Sequence, residues 1–148
     1  MKLAFYKAFQ PKATLLDKTI AIATLGRYSH VEVVFSDGMA FSISPREKVS
    51  RFKRIDFNPE HWDFVELSIS KKEEEYIRAM SYKYQNYKYD YIGAVTSATL
   101  VCIQKDNKLF CSELASKMIR NSKKYCGLKK DCRYSPNELF NFTTKVNE

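Results

Sequence analysis

Four cysteines and two histidines set the limits of the nucleophilic chemistry open to this chain: Cys102, Cys111, Cys126, Cys132, His30 and His61. Cys111 stands apart by its context, "KLFCSELASKM", where two apolar residues lead into a helix that the cysteine opens. A cysteine in a helix's first turn points its sulfur at N–H groups without intrahelical acceptors and at the positive dipole end. That placement favours the nucleophilic thiolate. The backbone N–H groups of Cys111 and Ser112 are then also candidate donors to an oxyanion. A thiolate of this kind needs an imidazole, and the imidazole needs an acceptor to orient its second nitrogen. His30 lies within the alternating run "YSHVEVVF", whereas His61 lies in the loop "NPEHWD". Taken singly, Cys111 also fits a small buried apolar residue, and His30 a structural residue of a strand.

Other chemistry has less to work with. No Cys-x-x-Cys pair exists, and Cys126 and Cys132 stand six apart with no histidine beside them, so neither metal nor cofactor is expected. A disulfide between those two remains open, although free thiols are the expectation for a chain without an export signal. The N-terminus, "MKLAFYKAFQPKATLL", lacks a signal peptide's apolar core, and no apolar run reaches the roughly 18 residues of a membrane span. A cytoplasmic location follows as the expectation. The net charge of +8 would suit an anionic partner, with the densest basic stretches at 50–55 and 121–133. No nucleic-acid motif accompanies the charge, so no specific nucleic-acid binding is expected.

The elements that must position these residues read as strands first and helices after, in one α+β domain over 1–148. Strands are expected at 2–8, 28–35, 39–44, 48–55 and 62–69, with "SDG" at 36–38 as a primed hairpin turn. A short helix follows Ala13 and ends at Gly26 as its cap. Ser70 and Glu73 form a capping box for a helix that carries Tyr76, Ile77 and Met80 on one stripe. Asp90 caps an apolar segment at 89–103, Cys111 opens a helix to 124, and Ser135 with Pro136 starts a last one at 135–142. Alternation along 28–35 sets Tyr28, His30 and Glu32 on one strand face.

Taken in order, "RYSHVEVVFSDGMAFSISPR", "WDFVEL", "YKYDYIGAV" and "LFCSELASKM" resemble the permuted branch of papain-like, NlpC-type cysteine hydrolases. Within it they are most similar to the YiiX/YebB-like enzymes of bacteria and their phages. In that branch the histidine strand precedes the cysteine helix, the reverse of papain's order, as it does in lecithin–retinol acyltransferases. The likeness runs over about 28–139 and includes a closing "SPNEL" segment.

The resemblance implies an antiparallel sheet or small barrel packed on helices, in a bacterial or phage-infected cell. It makes Cys111 the nucleophile and His30 the base, with Glu32 of "SHVE" a site residue. Relatives draw the orienting group from the next strand, where this chain has Ser42 and Ser44, so the third member lies among Glu32, Ser42 and Ser44. Ser112, Glu113 and Tyr28 join as oxyanion or substrate-binding residues. The implied activity is a peptidase or amidase, or an acyl-ester hydrolase or acyltransferase, working through an acyl-enzyme. The competing reading is a non-catalytic binding module on the same fold, using its basic surface to hold an anionic partner.

Overall fold

The computed structural model describes residues 1–96, 108–128 and 134–148. Five strands, β1 (Lys2–Lys7), β2 (Tyr28–Val34), β3 (Met39–Ile43), β4 (Ser50–Arg54) and β5 (Trp62–Glu66), form one antiparallel sheet. Its order is β4-β3-β2-β1-β5, so the sheet is open, with β4 and β5 at its edges instead of closing as a barrel. Helix α1 (Leu15–Ala23) sits between β1 and β2, and α2 (Lys71–Lys83) follows the sheet. After it come β6 (Lys88–Tyr89), α3 (Tyr91–Thr96), β7 (Lys108–Leu109), α4 (Cys111–Ile119) and α5 (Pro136–Asn147). The architecture is mixed α+β.

Alternation decides what each sheet face does. Leu3, Phe5, Val31, Val33, Phe41 and Ile43 turn to one side and are fully buried with Leu114, Met118 and Leu139 of α4 and α5. Burying each such side chain contributes roughly 1.5–3 kcal/mol, which fixes α4 against β2 and β3. The other face holds the small residues Ala4 and Ala40 with Val34, flanked by Trp62 and Phe64. Among the described residues, no helix is long and apolar enough to cross a membrane.

Three helices begin with capping boxes, Thr14/Asp17, Ser70/Glu73 and Ser135/Glu138, the last with Pro136 in the first turn. The inward stripe of α2 differs from its apolar spacing: Glu74, Ile77 and Ser81 are buried while Tyr76 is exposed. Glu74 accepts the Ser36 N–H at 2.6 Å, which is why a carboxylate is tolerated there. In the "SDG" hairpin only Gly38 takes a positive φ, 82°, and Gly38 N–H bonds to the Phe35 carbonyl. The turn is therefore a three-residue loop with one left-handed glycine, not the primed two-residue turn expected.

Helix α1 ends differently as well. Leu25, at φ 50°, takes the left-handed position; its N–H bonds to the Ile22 carbonyl, and the Gly26 N–H to that of Ala21. This is a Schellman cap with leucine where glycine is usual. Gly26 is needed for space instead, since a Cβ there would lie 1.8 Å from the Asn137 side chain. Helix α4 stops at Ile119, short of 124, and α5 runs on to Asn147. Beyond Thr96, the helix expected over 89–103 lies outside the described residues, as do Cys102 and Cys132.

Candidate active site

One inserted residue shapes the site. Along β1 and β2 the register pairs Phe5 with Val31 and Tyr6 with His30, then jumps to Lys7 opposite Tyr28. Ser29 is thus an extra residue, a β-bulge, which bends and twists the strand and re-aims its side chains. The bulge breaks the alternation that would have kept Tyr28 beside His30. Tyr28 instead enters the core, 1 % exposed, its ring 5.4 Å from that of Phe5 and 4.7 Å from that of Phe140. Its hydroxyl donates to Asp63 at 2.6 Å, and burial followed by that carboxylate pushes its pKa up. Tyr28 is a core residue and lies away from the site.

Asn137, from the "SPNEL" segment on α5, holds the strand just before the bulge. Its Oδ1 accepts the Arg27 and Tyr28 N–H groups at 2.7 and 3.0 Å, and its Nδ2 donates to the Tyr28 carbonyl at 3.1 Å. A single amide thus does for this stretch what a neighbouring strand would do.

Cys111 begins α4, and the N-cap before it is Phe110, whose side chain offers no acceptor to the first-turn N–H groups. The sulfur is buried, 4.0 Å from the Ser29 carbonyl of the bulge. His30 stands next to it, with its side chain 12 % exposed. Nε2 is 2.8 Å from Glu32 Oε1, while Nδ1 is buried and, among the described residues, makes no hydrogen bond of ordinary geometry. Cys111 nonetheless lies close enough to act on the ring. Burial alone would lower the His30 pKa; the charge and hydrogen bonding of Cys111, then those of Glu32, outweigh it and raise it to about 10. The imidazole is bracketed by a thiol and a carboxylate, and it holds its proton at neutral pH.

Glu32 is 1 % exposed and doubly held. Arg51 on β4 meets it with two nitrogens, NH1 to Oε2 at 2.9 Å and NH2 to Oε1 at 2.8 Å. Burial would raise this carboxyl; His30 and then Arg51 overcome that and hold it below the usual carboxylate range. Glu47 backs the arginine, its Oε2 2.6 Å from Arg51 Nε, and Lys53 reaches its Oε1 at 3.0 Å. Ser42 pairs with Arg51 across β3 and β4. Its small side chain lets the guanidinium pass over β3 to the carboxylate on β2.

The remaining sequence candidates divide. Ser44 faces the cavity but gives its hydroxyl to Glu47 at 2.9 Å, and Ser42 gives its own to the Val31 carbonyl at 2.6 Å. Neither serine hydroxyl bonds His30, and Glu32 does. Ser112 Oγ donates to the Tyr134 carbonyl at 2.6 Å, anchoring the start of α4. Glu113 is buried with Lys117 Nζ 3.7 Å away, one turn along the helix. Cys111 and Cys126 are free thiols, the first buried and the second exposed.

Tyr89 is buried at the approach to Cys111. The two-residue parallel pairing of β6 with β7 sets Tyr89 opposite Leu109, just ahead of Cys111. Burial, then the charges of Cys111 and Asp17, push the pKa of its hydroxyl well up. Arg51 is a site residue that the sequence hides, because a basic residue on an edge strand reads as solvent-facing. Two-residue bridges and cross-strand ion pairs leave no periodic trace.

A cavity of about 710 Å³ opens over this cluster. His30, Glu32 and Arg51 form its polar floor, while Tyr6, Ile20 and Trp62 give it apolar walls. Cys111 sits behind Ser29 and His30 and does not itself line the space. Among the described residues, no group of three His, Cys, Asp or Glu side chains is arranged to hold a metal ion. In comparisons with known proteins, the chain matches no family model, no curated protein and no solved structure.

Proposed function

We propose that the protein is a cysteine hydrolase of the permuted papain-like arrangement, acting on an amide or acyl-ester bond. The observation that carries this reading is the ordered line Cys111–His30–Glu32–Arg51, in which a thiol at a helix start faces an imidazole held on its far nitrogen. Cys111 attacks the carbonyl carbon with its thiolate. The oxyanion that forms is met by the N–H groups of Cys111 and Ser112 at the positive end of α4. His30, as imidazolium, protonates the leaving amine or alcohol, then takes a proton from the water that clears the thioester. Glu32 accepts from Nε2 throughout, leaving Nδ1 to serve the sulfur.

The test is acyl-enzyme capture with two probes, a p-nitrophenyl ester and an aminoacyl p-nitroanilide, read by intact mass after acid quench. An acyl adduct that maps to Cys111, and disappears in Cys111→Ala and His30→Ala, is expected. Absence of both adduct and turnover with either probe would overturn the hydrolase reading. The burial of Cys111 favours the second reading, a binding module, in which Cys111→Ala leaves every assay unchanged.

A further inference from the structure

Helix α1 is apolar on two sides. Ile20 and Ala21 turn inward and are buried, whereas Leu15 and Ile22, seven residues apart and so on one helical face, are 83 % and 64 % exposed. A helix apolar all round is ordinarily buried all round. Six of the eight exposed large apolar side chains among the described residues gather here: Phe9, Leu15, Ile22 and Leu25, with Tyr91 and Ile92 of α3, on which α1 packs.

Leu25 is the sharper observation. It is 95 % exposed and sits in the left-handed position of the helix cap, where glycine would fit without strain. The fold gains nothing from that side chain, so its use lies outside the fold. The charged residues around the patch are mostly cations. Segment 9–27 has Lys12, Lys18 and Arg27, the last paired with Asp63 at 3.5 Å, against one carboxylate, Asp17, which bonds Thr14 and Ser29 and pairs with Arg46 at 3.6 Å. Arg46 stands at the rim with its side chain 63 % exposed. Two copies meeting through this face about a two-fold axis would bring cation against cation.

We propose that the α1–α3 face docks on an anionic lipid bilayer. Leu15, Ile22 and Leu25 enter the boundary between headgroups and acyl chains, and Lys12, Lys18 and Arg46 meet the lipid phosphates. Thr14, Leu16, Asp17 and Ile20 of the same segment line the cavity, so docking brings the cavity's edge to the lipid. The inference does not depend on the hydrolase reading, because docking uses neither Cys111 nor His30.

Sedimentation with vesicles tests it, comparing phosphatidylcholine alone with an equimolar mixture of phosphatidylcholine and phosphatidylglycerol. The full chain is expected to pellet with the mixed vesicles and not with the neutral ones. Lys12→Gln and Lys18→Gln should each weaken binding roughly fivefold. Leu25→Gly should weaken it roughly tenfold while the thermal midpoint rises, so that lost binding cannot be ascribed to lost folding. Cys111→Ala should bind as the parent does. Failure to pellet with either vesicle would overturn the proposal, as would binding indifferent to these substitutions. So would a concentration-dependent dimer, abolished by Leu25→Gly, in a chain that ignores lipid.

Discussion

Arg51 grips Glu32 at both carboxylate oxygens, 2.9 and 2.8 Å away, and so holds as an anion the group that His30 Nε2 meets from the other side. Each end of this line constrains the next. The guanidinium is itself held by Glu47, so orientation passes from the β3–β4 connection to the imidazole beside Cys111.

Removing the guanidinium leaves the buried Glu32 carboxylate with His30 as its remaining counter-charge. Arg51→Met is expected to destabilise the fold by about 3 kcal/mol, read from urea midpoints at neutral pH. Combining it with Glu32→Gln should restore most of that stability, because the buried carboxylate is removed together with the guanidinium that balanced it. Acyl-enzyme formation should stay low in the double variant, which separates the orienting role from the structural one.

Cys111 and Glu32 together raise the His30 pKa to about 10 against the opposing effect of burial. Cys111→Ala should therefore lower the His30 titration midpoint, followed by the ring signals in NMR. Glu32→Gln should lower it too. A midpoint unmoved by Cys111→Ala would mean that the thiol does not act on the ring.

Stability should depend on pH at both ends. The His30 contribution is complete below its unfolded value near 6.5 and is lost as pH rises through about 10, the folded value. Glu32 is shifted the other way: its contribution is complete above 4.5 and is lost as pH falls through the lower folded value. Urea midpoints of the parent should fall over both windows. Cys111→Ala should flatten the alkaline fall, and Glu32→Gln the acid one.

The two residues that end α1 should respond oppositely to substitution. Leu25→Gly relieves a left-handed leucine and should add about 1 kcal/mol. Gly26→Ala drives a methyl into Asn137, which clips the start of β2, and should cost about 2 kcal/mol. Thermal unfolding of both variants measures the pair.

Tyr28→Phe removes a buried hydroxyl that donates to Asp63, leaving the ring's packing intact. It should cost about 1 kcal/mol and leave any activity of the site unchanged. A specific loss of turnover would return Tyr28 to the site.

How much of this was legible differs by element. The strands at Tyr28–Val34 and Met39–Ile43 follow from β-branched and aromatic alternation, and the Ser70/Glu73 and Ser135/Glu138 boxes from spacing alone. The Thr14/Asp17 box has the same local spacing. Cys111 at the first turn of its helix and Glu32 beside His30 were both visible, because helix starts and strand neighbours are local. Arg51 and Asn137 were not, since each acts through a contact distant along the chain. Tyr28 was misplaced for a single reason: alternation counts residues, and the bulge at Ser29 adds one.

That added residue makes chain length itself an ingredient of the site. The Ser29 hydroxyl bonds Asp17, but its backbone occupies a slot without which Tyr28 and His30 return to the same side of the sheet. Substituting Ser29 therefore changes a contact, whereas deleting it exchanges inside for outside along the strand that bears His30. Two chains differing there by one missing residue would be near-identical in composition and would present different surfaces to whatever enters the cavity.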